Sequence, residues 1–109
     1  MKEFSTPAVV AADPDANATD LLVARVTATP DSPLFAVPDG AGWRDVTAKT
    51  FYDEVVALAK GFVAAGIQPG DKIGLMAKTS YQWTLIDYAT WFAGAVLVPI
   101  YDTAAPSQI

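Results

Sequence analysis

The chain has 109 residues, about one domain's length, and is 52% hydrophobic against only 17% charged, a charged share low for the large surface of a small domain. Seven Lys and Arg against twelve Asp and Glu give a net charge of −5, and the scattered cations (Lys2, Arg25, Arg44, Lys49, Lys60, Lys72, Lys78) form no stripe for a nucleic-acid backbone. The absence of cysteine and histidine excludes disulfides, thiolate nucleophiles, imidazole bases and the usual zinc sites.

Residues 1–17 are rich in Pro, Ala and Asp without periodicity and read as an extended arm. They hold acids and no continuous apolar run, so they are not a signal peptide. From there a helix is expected, capped by Asn17 or Thr19 and ended by Pro30, with Leu21, Leu22, Val26 and Ala24 sharing one face. Leu34–Val37 and Trp43–Val46 are two short extended runs around a Pro-Asp-Gly-Ala-Gly turn, the signal of a hairpin.

Phe51, Val55, Leu58, Phe62 and Ala65 follow helical spacing, with Lys49, Asp53 and Lys60 off the stripe. Thr47 is its expected N-cap, and Gly66, Pro69 and Gly70 its stop. Lys72–Ala77 reads as a short apolar strand. Thr79-Ser80-Tyr81-Gln82 fits a capping box for the next helix, Tyr81 to about Ala93, which is apolar almost all round and so expected to be buried on most sides. Residues 95–100 (AVLVPI) supply another strand. Although 81–100 has the length of a membrane span, Gln82, Asp87, Gly94 and Pro99 interrupt it, and a buried helix followed by a buried strand explains it better. Pro106 suits the first turn of a further helix.

Strand, helix and strand in this order make a βαβ unit, with parallel strands and a right-handed crossover. The fold class is α/β. One such unit cannot cover its own faces, so the apolar helix and the free strand edges predict either a piece of a larger fold or an oligomer.

No G-x-x-x-x-G-K-[ST] or G-x-G-x-x-G run occurs, and the glycine-containing loops at 39–42 and 68–72 read as turns. Asp53 and Glu54 are adjacent on a helix, point in different directions and read as a solvated face. Asp87 lies inside the apolar helix, where a carboxylate needs a backbone or cationic partner, and reads as structural. The aromatic residues Tyr88, Trp91 and Phe92 have core spacing before they suggest an acyl pocket. No hydroxyl has a histidine base or a nucleophile elbow. No catalytic, cofactor-binding or metal-ligating residue is assigned. Tyr101, Asp102 and Thr103 follow the carboxyl end of a parallel strand, where α/β sheets place ligands, and are given a pocket-wall role at most.

Taken together, three runs carry a resemblance. Trp43 through Glu54 is similar to a Trp-x-x-(hydrophobic)-Thr…Tyr/Phe-x-Glu opening. Gly66 to Leu75 fits Gly-(hydrophobic)-x-x-Gly-Asp-(Lys/Arg)-(hydrophobic)-Gly/Ala-(hydrophobic), and Trp83 with its helix leads into Gly94–Ile100. From residue 34 to 109 the chain resembles the start of the adenylate-forming (AMP-binding) enzymes. Val98 to Thr103, with Gln108 after it, is similar to the long-chain fatty-acid–CoA ligase branch.

That resemblance implies an enzyme joining a fatty acid to coenzyme A through an acyl-adenylate, using ATP with Mg²⁺, in the cytoplasm or peripheral to a membrane. It implies that 18–109 is the N-terminal segment of an AMP-binding domain that stops before the phosphate loop, the adenine segment, the ribose-binding Asp and the mobile Lys. Such a segment alone is expected to be inactive and to self-associate, with no cofactor of its own. Two competing readings are another adenylate-forming enzyme (an acyl-AMP or aryl-CoA ligase) and a self-contained dimerising interaction module.

Overall fold

In a computed structural model, which describes residues 2–11 and 13–108 (the side chain of Gln108 excepted), the order of elements follows the hydrophobic spacing closely. Helix α1 spans Ala18–Ala28, strands β1 and β2 span Pro33–Asp39 and Gly42–Thr47, and helix α2 spans Ala48–Ala64. Strand β3 (Lys72–Met76), helix α3 (Tyr81–Phe92) and strand β4 (Val96–Ile100) follow, and a short 3-10 turn covers Pro106–Gln108. Residues 2–11 and 13–16 form neither helix nor strand and are exposed; Met1 and Ala12 of the expected arm, and Ile109, lie outside the described residues.

Asn17 caps α1 by accepting from the Thr19 N–H, while the Asp20 carboxylate accepts from the Asn17 N–H, completing a capping box. Only Leu22 of this helix is buried. Leu21, expected on the same face, is 73% exposed, because adjacent helical residues diverge by about 100° and α2 can cover only one of them.

Strands β1 and β2 form an antiparallel hairpin closed by Gly40 and Ala41, with Asp39 opposite Gly42. Gly40 has φ +59 at the first loop position, the site a tight hairpin turn reserves for glycine. A bulge between Pro33 and Phe35 seats the hairpin over α2. The carbonyls of Ser32 and Pro30 accept from the Ala48 and Lys49 N–H groups, so the incoming chain satisfies the start of α2 together with the Thr47 cap.

Helices α2 and α3 pack side by side. Ala59, Ala89 and Ala93 form a small-residue seam that brings the helices close, flanked by Leu58, Phe62 and Phe92. Above it Leu22, Val46, Phe51 and Val55 are buried together, joining α1, β2 and α2 in one core with Phe35, Tyr81, Leu85 and Tyr88 packed around it. Phe51 is the hub: its ring lies 4.8 Å from Phe35, 5.9 Å from Tyr81 and 5.4 Å from Tyr88. These tilted and edge-on pairings place ring edges on ring faces. Ala65, expected on the apolar stripe, is instead the exposed C-cap of α2.

Both long helices end in the same way. After α2, the Gly66 N–H donates to the Val63 carbonyl and the Ile67 N–H to Phe62; after α3, Gly94 donates to Trp91 and Ala95 to Thr90. These paired bonds are Schellman motifs, and Gly94 supplies the positive φ (+75) that such a motif needs. The Gly70 N–H donates to the Gly94 carbonyl at 2.9 Å, tying the α2–β3 connection to the end of α3.

Strands β3 and β4 pair in parallel, from Lys72 opposite Val96 to Met76 opposite Ile100, with α3 as the crossover. Leu75 is buried and Ile73 and Leu97 half-buried, whereas Met76, Val96 and Val98 are exposed on the alternate positions. One face of this pair is covered and the other is open. Helix α3 is correspondingly less enclosed than its composition predicts: Ala89 and Thr90 are buried, and most of its other side chains are half-buried. The structure is thus α/β, with a hairpin, a helical layer and one βαβ unit.

Candidate functional site

The carboxyl ends of β3 and β4 open into a cleft of about 410 Å³. Two segments build it. Lys78, Thr79 and Trp83 come from the β3–α3 connection and the first turn of α3, and Ile100, Tyr101 and Asp102 from the end of β4 and the loop beyond. Parallel strands deliver both connections to the same edge, because the crossover helix returns the chain to the starting side. The walls mix aromatic and aliphatic surface with one cation and one carboxylate, the combination that orients a small ligand.

The sequence expectation places Tyr101, Asp102 and Thr103 here; Tyr101 and Asp102 line the cleft, while Thr103 is not among its lining residues, and Tyr101 is 84% exposed. The matching residues on the other strand, Lys78, Thr79 and Trp83, were not singled out. Their signal was available in the same rule, since they follow the carboxyl end of β3 as Tyr101 follows that of β4.

The start of α3 is held by Ser80, whose hydroxyl accepts from the Trp83 N–H at 3.2 Å. The expected capping box on Thr79 and Gln82 does not form. The helix begins at Tyr81 as expected, but its cap is Ser80 rather than Thr79, and the position that would reciprocate for a Ser80 cap is occupied by Trp83, which carries no acceptor. Tyr81 Oη donates to Glu54 Oε2 at 2.5 Å, so Glu54, exposed as expected, also bridges α2 to α3. Burial first, and then the bond and charge of Glu54, push the Tyr81 phenol above its usual range, with Arg44 opposing. Asp53 does face water, paired with Lys49 at 2.6 Å.

Asp87 is half-buried and, among the described residues, has neither the backbone nor the cationic partner expected of it; burial raises its carboxyl above the ordinary aspartate value. The polar residue fully buried in α3 is Thr90, which donates to the Ile86 carbonyl at 2.8 Å. A second concavity of about 370 Å³ between α2 and α3, lined by Val56, Ala59, Lys60, Val63 and Phe92, is almost wholly apolar. It offers a ligand shape but few groups to orient one. Among the described residues no three His, Cys, Asp or Glu side chains stand together as metal ligands, and no helix is long and apolar enough to cross a membrane.

Residues 22–109 match the family model described as AMP-binding enzyme. Over all 109 residues the chain is 30% identical to the long-chain-fatty-acid–CoA ligase FadD15 of Mycobacterium bovis, and it spans 18% of that protein's length. Among solved structures, the fatty acid AMP ligase of Legionella pneumophila superposes with a TM-score of 0.70 at 21% identity, over 82% of this chain and 16% of that one. The N-terminal subdomain of Klebsiella oxytoca NpsA superposes with a TM-score of 0.72 at 20% identity, over 83% and 23%. These two likenesses carry the fold.

Proposed function

The chain belongs to the AMP-binding enzyme family, and on that premise we propose that it forms the N-terminal segment of a long-chain fatty-acid–CoA ligase. In this reading residues 1–17 are an arm and 18–109 open the AMP-binding domain of a protein that is cytoplasmic or rests on a membrane surface. ATP and a fatty acid form an acyl-adenylate with release of pyrophosphate, and coenzyme A then takes the acyl group. Mg²⁺ bound with ATP supplies charge neutralisation at the phosphates.

The donor set for that nucleotide is not assembled from residues 2–108. No glycine-rich phosphate loop is present, carboxylates do not cluster among the described residues, and the cleft carries a single cation, Lys78. No chemical step is therefore assigned to these residues. Their part is to form one wall of the ligand site. A single observation carries the long-chain reading: the run Val98 to Thr103, similar to that branch in sequence, leads out of β4 directly into the cleft wall at Ile100, Tyr101 and Asp102.

The test is ATP–pyrophosphate exchange and thioester formation by the protein purified from its source, with its intact mass recorded. Exchange driven by long-chain fatty acids, followed by acyl-CoA formation, is the expected result. Adenylate without thioester would make it an acyl-AMP ligase, and a preference for aromatic acids an aryl-CoA ligase. No exchange, at an intact mass near 11.5 kDa, would leave the dimerising module.

A further inference from the structure

Helices α2 and α3 are joined by one polar contact that their aromatic and alanine packing does not require. Tyr81 and Glu54 are 27 residues apart in sequence, yet the phenol donates to the carboxylate at 2.5 Å. Tyr81 is the first residue of α3. Its ring is set edge-on to Phe35 at 5.3 Å and to Phe51 at 5.9 Å, so the hydroxyl reaches Glu54 with little freedom left. Immediately before it stands Ser80, the cap of the helix, and the cleft residues Lys78, Thr79 and Trp83 all lie within three positions of Tyr81.

We propose that Glu54 and Tyr81 are a positioning pair that fixes the β3–α3 segment, and through it Lys78 and Trp83, against the opposite wall of the cleft. This rests on the reading of the cleft as one wall of the ligase's ligand site. The physical basis is directional. Packing of rings tolerates sliding and rotation, whereas a short hydrogen bond to a charged acceptor fixes distance and angle together. Phenylalanine at 81 would fill the same apolar space and leave the helix start free to shift. Neither residue touches the cleft, so the pair acts through its neighbours.

The test uses the enzyme that carries this chain, with kcat and KM measured for fatty acid, ATP and coenzyme A. Tyr81→Phe and Glu54→Ala are each expected to raise the KM of one substrate about five-fold and leave the other two unchanged, and the double variant to do no more than either single one. The affected substrate is the one that lies at the cleft. Glu54→Gln keeps an acceptor and is expected to restore that KM to within about two-fold of the wild type. Val55→Ala, buried in α2 beside Glu54, is the stability control: it lowers the thermal midpoint with all KM values unchanged.

If Tyr81→Phe and Glu54→Ala behave like Val55→Ala, or if their effects multiply in the double variant, the pair is only structural and the proposal is overturned. A wild type that makes no acyl-CoA at all sinks the functional reading itself and the positioning role with it, which is distinct from variants that merely match an active wild type.

Discussion

In α3 the Asp87 carboxylate stands half-buried among apolar side chains without a partner among the described residues, and burial lifts its proton affinity. A carboxyl whose folded value is raised binds its proton more tightly in the folded than in the unfolded chain. Folding stability therefore falls as pH rises through the window between the ordinary aspartate value and the raised one, and stays reduced above it. Asp87→Asn removes that cost at neutral pH. It is expected to raise the thermal midpoint by about 2 °C at pH 7, with the gain vanishing below the ordinary aspartate value, as followed by circular dichroism. An equal gain at both pH values would mean that charge is not the cause. Expecting a partner for Asp87 was sound for a buried carboxylate; a half-exposed one keeps enough water to persist without it. Glu54 shows the opposite case. Its neighbours in sequence say only that it lies on a helix, and the phenol that engages it arrives from another helix.

At the scale of elements, glycines separate what a turn requires from what a helix tolerates. Gly94 closes the Schellman motif of α3 at φ +75, and a Cβ there would also meet Pro69 at 3.4 Å. Gly61 sits in the last turn of α2, still with helical backbone and with open space around it. Gly94→Ala is expected to destabilise by about 1–2 kcal/mol, since an L side chain resists the left-handed region. Gly61→Ala is expected to stabilise by about 0.5–1 kcal/mol through the helix propensity of alanine. Urea denaturation measures both, and the same sign for the two would refute the assignment.

The ends of these helices were legible in the sequence because Gly66, Gly94 and the Asn17 and Thr47 caps act within a few residues of themselves. The seam was not. Ala59 lies off the stripe of large apolar residues and is buried because Ala89 and Ala93 meet it from α3, a fact set by how two helices pair. The shift of the α3 cap from Thr79 to Ser80 is a choice between two adjacent good caps, which their residue types alone do not separate. Of the cleft, both halves were readable by one rule, since each follows the carboxyl end of a parallel strand, but only the half after β4 was singled out.

For the molecule as a whole, the open face of the parallel pair dominates. Met76, Val96 and Val98 are 48%, 49% and 41% exposed on it, and parallel sheets are normally covered on both sides. The isolated 109-residue chain is expected to self-associate at micromolar concentration through this face. Light scattering that reports an 11.5 kDa species over a dilution series would refute that.

The direction in which the pair can accept further strands is fixed by one residue of β4. The Val96 N–H donates to the Asp71 carbonyl, so Val96, Val98 and Ile100 turn their backbone groups toward β3, and Leu97 and Pro99 turn theirs away. Proline has no N–H to give, so a newcomer alongside β4 loses a rung in the middle of the ladder. On the far side of β3, Lys72, Gly74 and Met76 present every donor and acceptor. Growth of this sheet by hydrogen bonding is thereby biased toward β3, a polarity written by a single imino acid at position 99.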